Sequence, residues 1–180
     1  MTKTARILVY GFGPYRQFRD NVTKKVLRHL PRRRGLQKVV FPVRFHRGQF
    51  IEAIKRHDPD IVLGLGQCSG GRRLRVEARA VNARRAREDQ KAKPIVGRGA
   101  SHLMTNLPVS LGPWGRRSRF AGDYVCNFSM YVMLDFLARQ DSKTRYGFVH
   151  IPHDYDPRKA AEILDGALEK LAAGDRLAGK

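Results

Sequence analysis

Cys126 sits in the stretch Ala121-Gly122-Asp123-Tyr124-Val125-Cys126-Asn127, directly ahead of an apolar run over residues 128–137. The run reads as a helix, so the thiol falls at or near a helix N-terminus, after a glycine that lets the backbone turn tightly. Unpaired N–H groups and the positive end of the helix dipole lower a thiol pKa at such a place, and the thiolate is the nucleophile. A His and a Glu elsewhere in the chain can complete a set for nucleophilic attack and proton transfer. The combination suggests cysteine-peptidase chemistry.

The elements that must hold this thiol alternate between strand and helix. Residues 6–10 form a short apolar run ending in Gly11-Phe12-Gly13-Pro14, a strand followed by a tight turn. Residues 21–29 predict a helix capped by Asn21, residues 37–43 a second strand, and residues 49–57 a helix stopped near Asp58-Pro59. Residues 61–65 are a buried strand opening into Gly66-Gln67-Cys68-Ser69-Gly70-Gly71. Residues 74–81 alternate as one further strand. Residues 83–120 are polar and broken by prolines and glycines. Residues 146–150 predict a strand ending in Ile151-Pro152, and residues 157–171 a closing helix with Pro157 near its first turn. This order implies an α/β fold with a mostly parallel sheet and helices on both faces. Ligands in such sheets sit beyond the strands' carboxyl ends, so 11–15, 66–71 and His150 could converge at one rim.

Bulk properties narrow the class. A chain of 180 residues fits a single domain with a real core, here spanning 1–180. No apolar run approaches the ~20 residues needed to span a bilayer, and residues 7–10 are too short for a signal-peptide core. Two cysteines in unlike contexts give neither a disulfide framework nor zinc spacing, which leaves a reducing cytoplasm as the expected setting. The formal net charge is +20, from 36 Lys+Arg against 16 Asp+Glu. Basic runs occur at 32–34, 72–75, 84–87 and 116–119. Such a surface attracts nucleic acid or acidic partners. Aromatic residues do not alternate with the arginines as a base-stacking platform requires, so any nucleic-acid binding is expected to be non-specific.

Four separated segments now resemble pyroglutamyl-peptidase I, the cysteine peptidases that remove N-terminal pyroglutamate. They are Gly11-Phe12-Gly13-Pro14-Tyr15 with Asn21; Gly64-Leu65-Gly66-Gln67 through Glu77 to Asn82; Ser118 with Ala121-Gly122 and Tyr124-Val125-Cys126-Asn127; and Gly147-Phe148-Val149-His150-Ile151-Pro152. The match spans nearly the whole chain, and the cysteine segment is its most specific piece. The resemblance implies a three-layer α/β/α sandwich with a mostly parallel mixed sheet. It implies Cys126 as nucleophile, His150 as general base and acid, and Glu77 as the carboxylate orienting the imidazole, a set that forms and hydrolyses a thioester without metal or cofactor. It places Phe12, Tyr15, Gln67, Tyr124 and Arg87 around a substrate pocket for a peptide with a blocked N-terminus. A homo-oligomer is compatible with it.

The chain also departs from the family's pattern. Arg75 stands where a small hydroxyl residue is usual, Ala78 where a basic residue is usual, and Phe120 where a small residue is usual. Relatives place a helix and a strand between their Leu-Pro and Ala-Gly landmarks, where only 109–120 is available here. The expectation is an irregular connection, with Trp114 packed against the domain or a partner chain, and a fold reduced by one helix and strand. Two further readings stand beside a hydrolase. The fold could serve as a basic binding module for RNA or an acidic partner, with the three residues residual. Alternatively, a hydrolase could use its basic rim to recruit an acidic or nucleic-acid-linked substrate.

Overall fold

Period-two alternation sorts the strand side chains onto two faces, and each face is covered by helices. The computed structural model describes residues 4–15 and 19–178. Strand β1 (Ile7–Phe12) sends Ile7 and Val9 to one apolar cluster and Leu8, Tyr10 and Phe12 to the other. The first cluster is closed by helices α1 (Val22–His29) and α4 (Pro157–Ala178). The second is closed by α2 (Arg47–His57) and α3 (Val125–Arg139). The remaining strands are β2 (Leu36–Phe41), β3 (Ile61–Cys68), β4 (Leu74–Glu77), β5 (Arg79–Val81), β6 (His102–Met104), β7 (Gly115–Ser118) and β8 (Arg145–Pro152). Five of these join β1 in a six-stranded sheet of order β2-β1-β3-β8-β4-β7, parallel except where β4 meets β8. This is the three-layer α/β/α arrangement with a mixed sheet. Among the described residues, no helix is long and apolar enough to cross a membrane.

Local chemistry sets the ends of the elements. The Asn21 side chain accepts the Thr23 amide at 3.0 Å and caps α1. Asp58 ends α2 in the left-handed conformation, with φ at 42°. Helix α3 is apolar nearly all round because it is covered on two sides, by the sheet and by the separate β5–β6 ribbon. Asn127 locks the second contact. Its Oδ1 accepts the Val81 amide at 2.9 Å, and its Nδ2 donates to the carbonyls of Val81 and Ala83 at 2.9 and 2.8 Å.

Three expectations are corrected. Residues 74–81 are two strands, not one. At Ala78 the amide bonds Ser118 and the carbonyl accepts from Thr105, so the chain leaves the six-stranded sheet to join the ribbon. The apolar side chains change face there, with Leu74 and Val76 against α1 and α4 but Ala80 against α3. Residues 109–120 are not an irregular connection. They hold a one-turn 3-10 helix (Gly112–Trp114) and then β7, which pairs in parallel with β4 as an edge strand. The strand is therefore kept, while the helix shrinks to a single turn. Trp114 is half-exposed, with the Lys159 ammonium of α4 4.0 Å from its ring centroid. The closing helix continues past residue 171 to Ala178.

Candidate active site

The carboxyl ends of β3 and β8 and the start of α3 meet at one point. Gly122, at φ +80°, turns the chain into α3 in a conformation that a side chain disfavours. Tyr124 is the N-cap, and Cys126 is the second residue of the helix. The first intrahelical bond runs from the Phe128 amide to the Tyr124 carbonyl at 2.9 Å. Amides ahead of Phe128 therefore have no acceptor within the helix. A buried chain of hydroxyls anchors this turn from beneath. Ser129 donates to the Cys126 carbonyl at 2.8 Å, so its oxygen accepts from Tyr10 at 3.0 Å, and the Tyr10 oxygen in turn accepts from Tyr146 at 2.6 Å.

His150 and Glu77 come together through the one antiparallel junction of the sheet. Strand register sets Arg75 opposite His150 and Glu77 opposite Phe148. Period two then places all four side chains on the α3 face. The His150 Nδ1 donates to Glu77 Oε1 at 2.7 Å, and both side chains are buried. A carboxylate only accepts, so Nδ1 carries a proton, and in the neutral imidazole Nε2 is then the acceptor. Arg75 adds a charge that the sequence reading treated only as a departure. Its Nε lies 3.8 Å from Glu77 Oε1. Among the described residues, neither that Nε nor Glu77 Oε2 finds a hydrogen-bond partner.

Gly66 makes the meeting of sulfur and imidazole possible. A Cβ there would lie 2.7 Å from His150 Cδ2, 2.8 Å from Cys126 Sγ and 2.8 Å from Phe148 Cε1. The two reactive side chains thus flank the same bare Cα. Gly66→Ala is expected to push them apart, at a cost of about 1–3 kcal/mol in stability and about 100-fold in turnover. Thermal unfolding and a rate measurement check both, and a variant with unchanged turnover would mean that the spacing is unimportant.

The Cys126 thiol is not acidic. Burial pushes it up to about 12, with smaller contributions from Cys68 and Glu77, against the lowering effect of Arg75. This overturns the expectation of a thiol acidified by its helix. The dipole contributes about 0.3–1 kcal/mol, and loss of water around a thiolate outweighs it. Burial thus favours the neutral thiol over the thiolate. Burial raises the Cys68 thiol too, opposed by Arg75. Alkylation of Cys126 by iodoacetamide is expected to accelerate steadily from about pH 7 to about pH 10, following the thiolate fraction. A rate already level near pH 7 would instead mean a pre-formed thiolate. By the same rule Cys126, the more strongly raised of the two thiols, is expected to take less label than Cys68 near pH 7 in peptide mapping, which reverses the order expected from a helix-acidified thiol.

Cys126 stands at the boundary of two chambers. One, of about 350 Å³, is walled by Phe12, Tyr15, Val43, Tyr124 and Val125, with Asn21, Gln67, Ser69 and His153 among its polar members. Its aromatic wall is built from packed rings, with Tyr15 and Tyr124 ring centroids 5.1 Å apart and Phe45 against Tyr124 at 5.2 Å. The other, of about 640 Å³, holds Cys126 and His150 among Arg75, Arg85, Arg87, Glu88, Phe120 and Asp123. Of the pocket residues read from sequence, Phe12 serves the core as well as the wall. Gln67 lines both chambers, and its Oε1 accepts the Val22 amide at 2.9 Å. Arg87 lines the larger chamber but pairs with Asp89 at 3.2 Å in an exposed position. Val43, Phe45 and His153 went unread, because nothing in their local sequence marks them. Among the described residues, no group of three or more His, Cys, Asp or Glu is arranged to hold a metal ion.

Comparison with known proteins points one way. A family profile described as pyroglutamyl peptidase matches residues 5–166. A pyrrolidone-carboxylate peptidase from Staphylococcus saprophyticus is 31% identical over 167 residues, covering 82% of this chain and 78% of that protein. The pyroglutamyl peptidase I structure from Bacillus amyloliquefaciens superposes with a TM-score of 0.79 at 27% identity, covering 95% and 94% of the two chains. The pyrrolidone carboxyl peptidase structure from Thermococcus litoralis gives a TM-score of 0.86 at 21% identity over 98% and 96%, a likeness of fold.

Proposed function

The chain belongs to the pyroglutamyl peptidase family, and from that premise we propose that it is a cysteine exopeptidase that hydrolyses N-terminal pyroglutamyl bonds, or a related small acyl amide, in the cytoplasm. The observation that carries the reading is the joint position of Cys126 and His150 about Gly66, with Glu77 hydrogen-bonded behind the imidazole. Cys126 Sγ attacks the scissile carbonyl while His150 Nε2 removes its proton. Glu77 holds the tautomer and supports the imidazolium. The free amides at the start of α3 are the donors within reach for the developing oxyanion. His150 then returns the proton to the leaving amine, and water resolves the thioester. The chemistry needs neither metal nor cofactor.

The two chambers divide the substrate. Pyroglutamate is a small uncharged lactam and suits the aromatic chamber. Asn21 Oδ1 accepts both the amide and the hydroxyl of Thr23 and Gln67 Oε1 accepts the Val22 amide, which turns each side chain's NH₂ group into the donor it can offer the ring carbonyl. His150 lines the larger chamber and not the aromatic one. The leaving amine, which needs the proton, therefore departs on that side. Release of fluorophore from pyroglutamyl, prolyl and alanyl amides tests the reading. Turnover of the pyroglutamyl amide alone is expected, and preference for either of the others would overturn it.

A further inference from the structure

A third cavity, of about 480 Å³, opens beside the larger chamber and shares Cys68, Ser69 and Arg75 with it. Arg72, Arg73, Arg75 and Arg116 line it together with the backbone of Gly70 and Gly71, and no carboxylate does. Among the described residues, Arg72, Arg73 and Arg116 form no ion pair. In contrast, the arginines that line only the larger chamber are already matched, Arg85 to Asp123 at 2.8 Å and Arg87 to Asp89 at 3.2 Å, while Arg75, common to both cavities, has Glu77 at 3.8 Å. The strand register sharpens the contrast. Arg75 on β4 is the lateral partner of Arg116 on β7, and Arg75 also lies opposite His150 on β8. One row across three strands therefore runs from the imidazole to two neighbouring guanidinium groups. Like charges directly opposite in a sheet repel, and an anion lodged between them relieves that repulsion.

We infer that this cavity is an anionic subsite that takes the acidic side chains of the residues following pyroglutamate. The inference rests on the peptidase reading above and names the substrate class within it. The leaving peptide starts at His150 and extends toward the arginines at about 3.3–3.6 Å per residue. Acidic side chains in its first few positions then reach Arg75 and Arg116, whose planar forks match carboxylates. The excess charge of the chain is thereby given a local task.

The test compares kcat/KM for pyroglutamyl-Glu-Glu-Ala, pyroglutamyl-Gln-Gln-Ala and pyroglutamyl-Lys-Lys-Ala at low and high salt. The acidic peptide is expected to exceed its amide isostere about tenfold at low salt, with the advantage shrinking as salt rises. In an Arg72→Ala/Arg116→Ala double variant the ratio is expected to fall toward one. Because the ratio is read within each protein, a general loss of activity cancels. Equal rates on the first two peptides, or a ratio the double variant leaves unchanged, would overturn the subsite while leaving the peptidase reading intact. Failure on every pyroglutamyl substrate would instead sink that reading. Calorimetry with the unblocked tripeptide Glu-Glu-Ala then decides the subsite alone: binding lost in the double variant supports it, and no binding ends it. A short RNA that binds through the same arginines more tightly than the peptide would reassign the cavity to nucleic acid.

Discussion

Cys126→Ala is expected to lower kcat on a pyroglutamyl amide by about 10,000-fold or more while the protein stays folded. In the proposed mechanism this sulfur forms the thioester, and the methyl group left behind cannot attack. Binding groups and oxyanion donors remain, so a trace above the uncatalysed rate persists. The fold should scarcely notice. Cys126 is half-buried at the second position of α3, and alanine is the best helix former. The anchoring hydroxyl chain bonds the backbone carbonyl of residue 126, not its side chain. A neutral thiol gives up little when removed, so the unfolding midpoint should shift by no more than a few degrees, equivalent to about 1 kcal/mol. The paired measurements are a rate and a thermal melt. Retention of more than about a hundredth of the wild-type rate in a folded variant would move the nucleophile elsewhere, with Cys68 next in line.

The thiol's position was legible in sequence because it is local. Glycine, tyrosine and apolar run lie within a few residues of each other, and helix α3 begins at Val125, ahead of the apolar run over 128–137, with the thiol in its first turn. Its protonation was not legible, because desolvation depends on what β3, β4 and β8 bring around it. The Glu77–His150 bond joins residues 73 apart in sequence. It follows from the antiparallel register of β4 on β8, which no periodicity in either strand encodes. The resemblance supplied the pair, while the residues alone supplied only two candidate strands. Strand β7 escaped for a different reason. Gly115-Arg116-Arg117-Ser118 has no apolar alternation, since it pairs on one side only and keeps its edge charged. One of the charges that hid the strand, Arg116, lines the arginine cavity.

Glu77→Gln should be the most informative change after loss of the thiol. The amide has the same shape and can still accept from His150 Nδ1 through its oxygen, so the buried site does not collapse. Its other face is an NH₂ donor. If that face turns toward the imidazole, Nδ1 becomes the acceptor and the proton moves to Nε2, where it blocks removal of the thiol proton. In either orientation the negative charge that supports the imidazolium is gone. In the proposed mechanism the imidazolium forms as the sulfur attacks, so this charge acts on the rate and not on substrate binding. The expected result is a loss of about 1,000- to 10,000-fold in kcat with KM little changed. Arg75 makes the outcome sharper. Its Nε, 3.8 Å from the carboxylate, would face a neutral group and a cationic imidazole in the same pocket, which opposes the imidazolium further. Adding Arg75→Gln to Glu77→Gln should therefore recover part of the lost rate on a neutral pyroglutamyl amide. A Glu77→Gln variant with wild-type kcat would remove the carboxylate from the mechanism. One whose KM rises while kcat holds would assign Glu77 to binding the substrate.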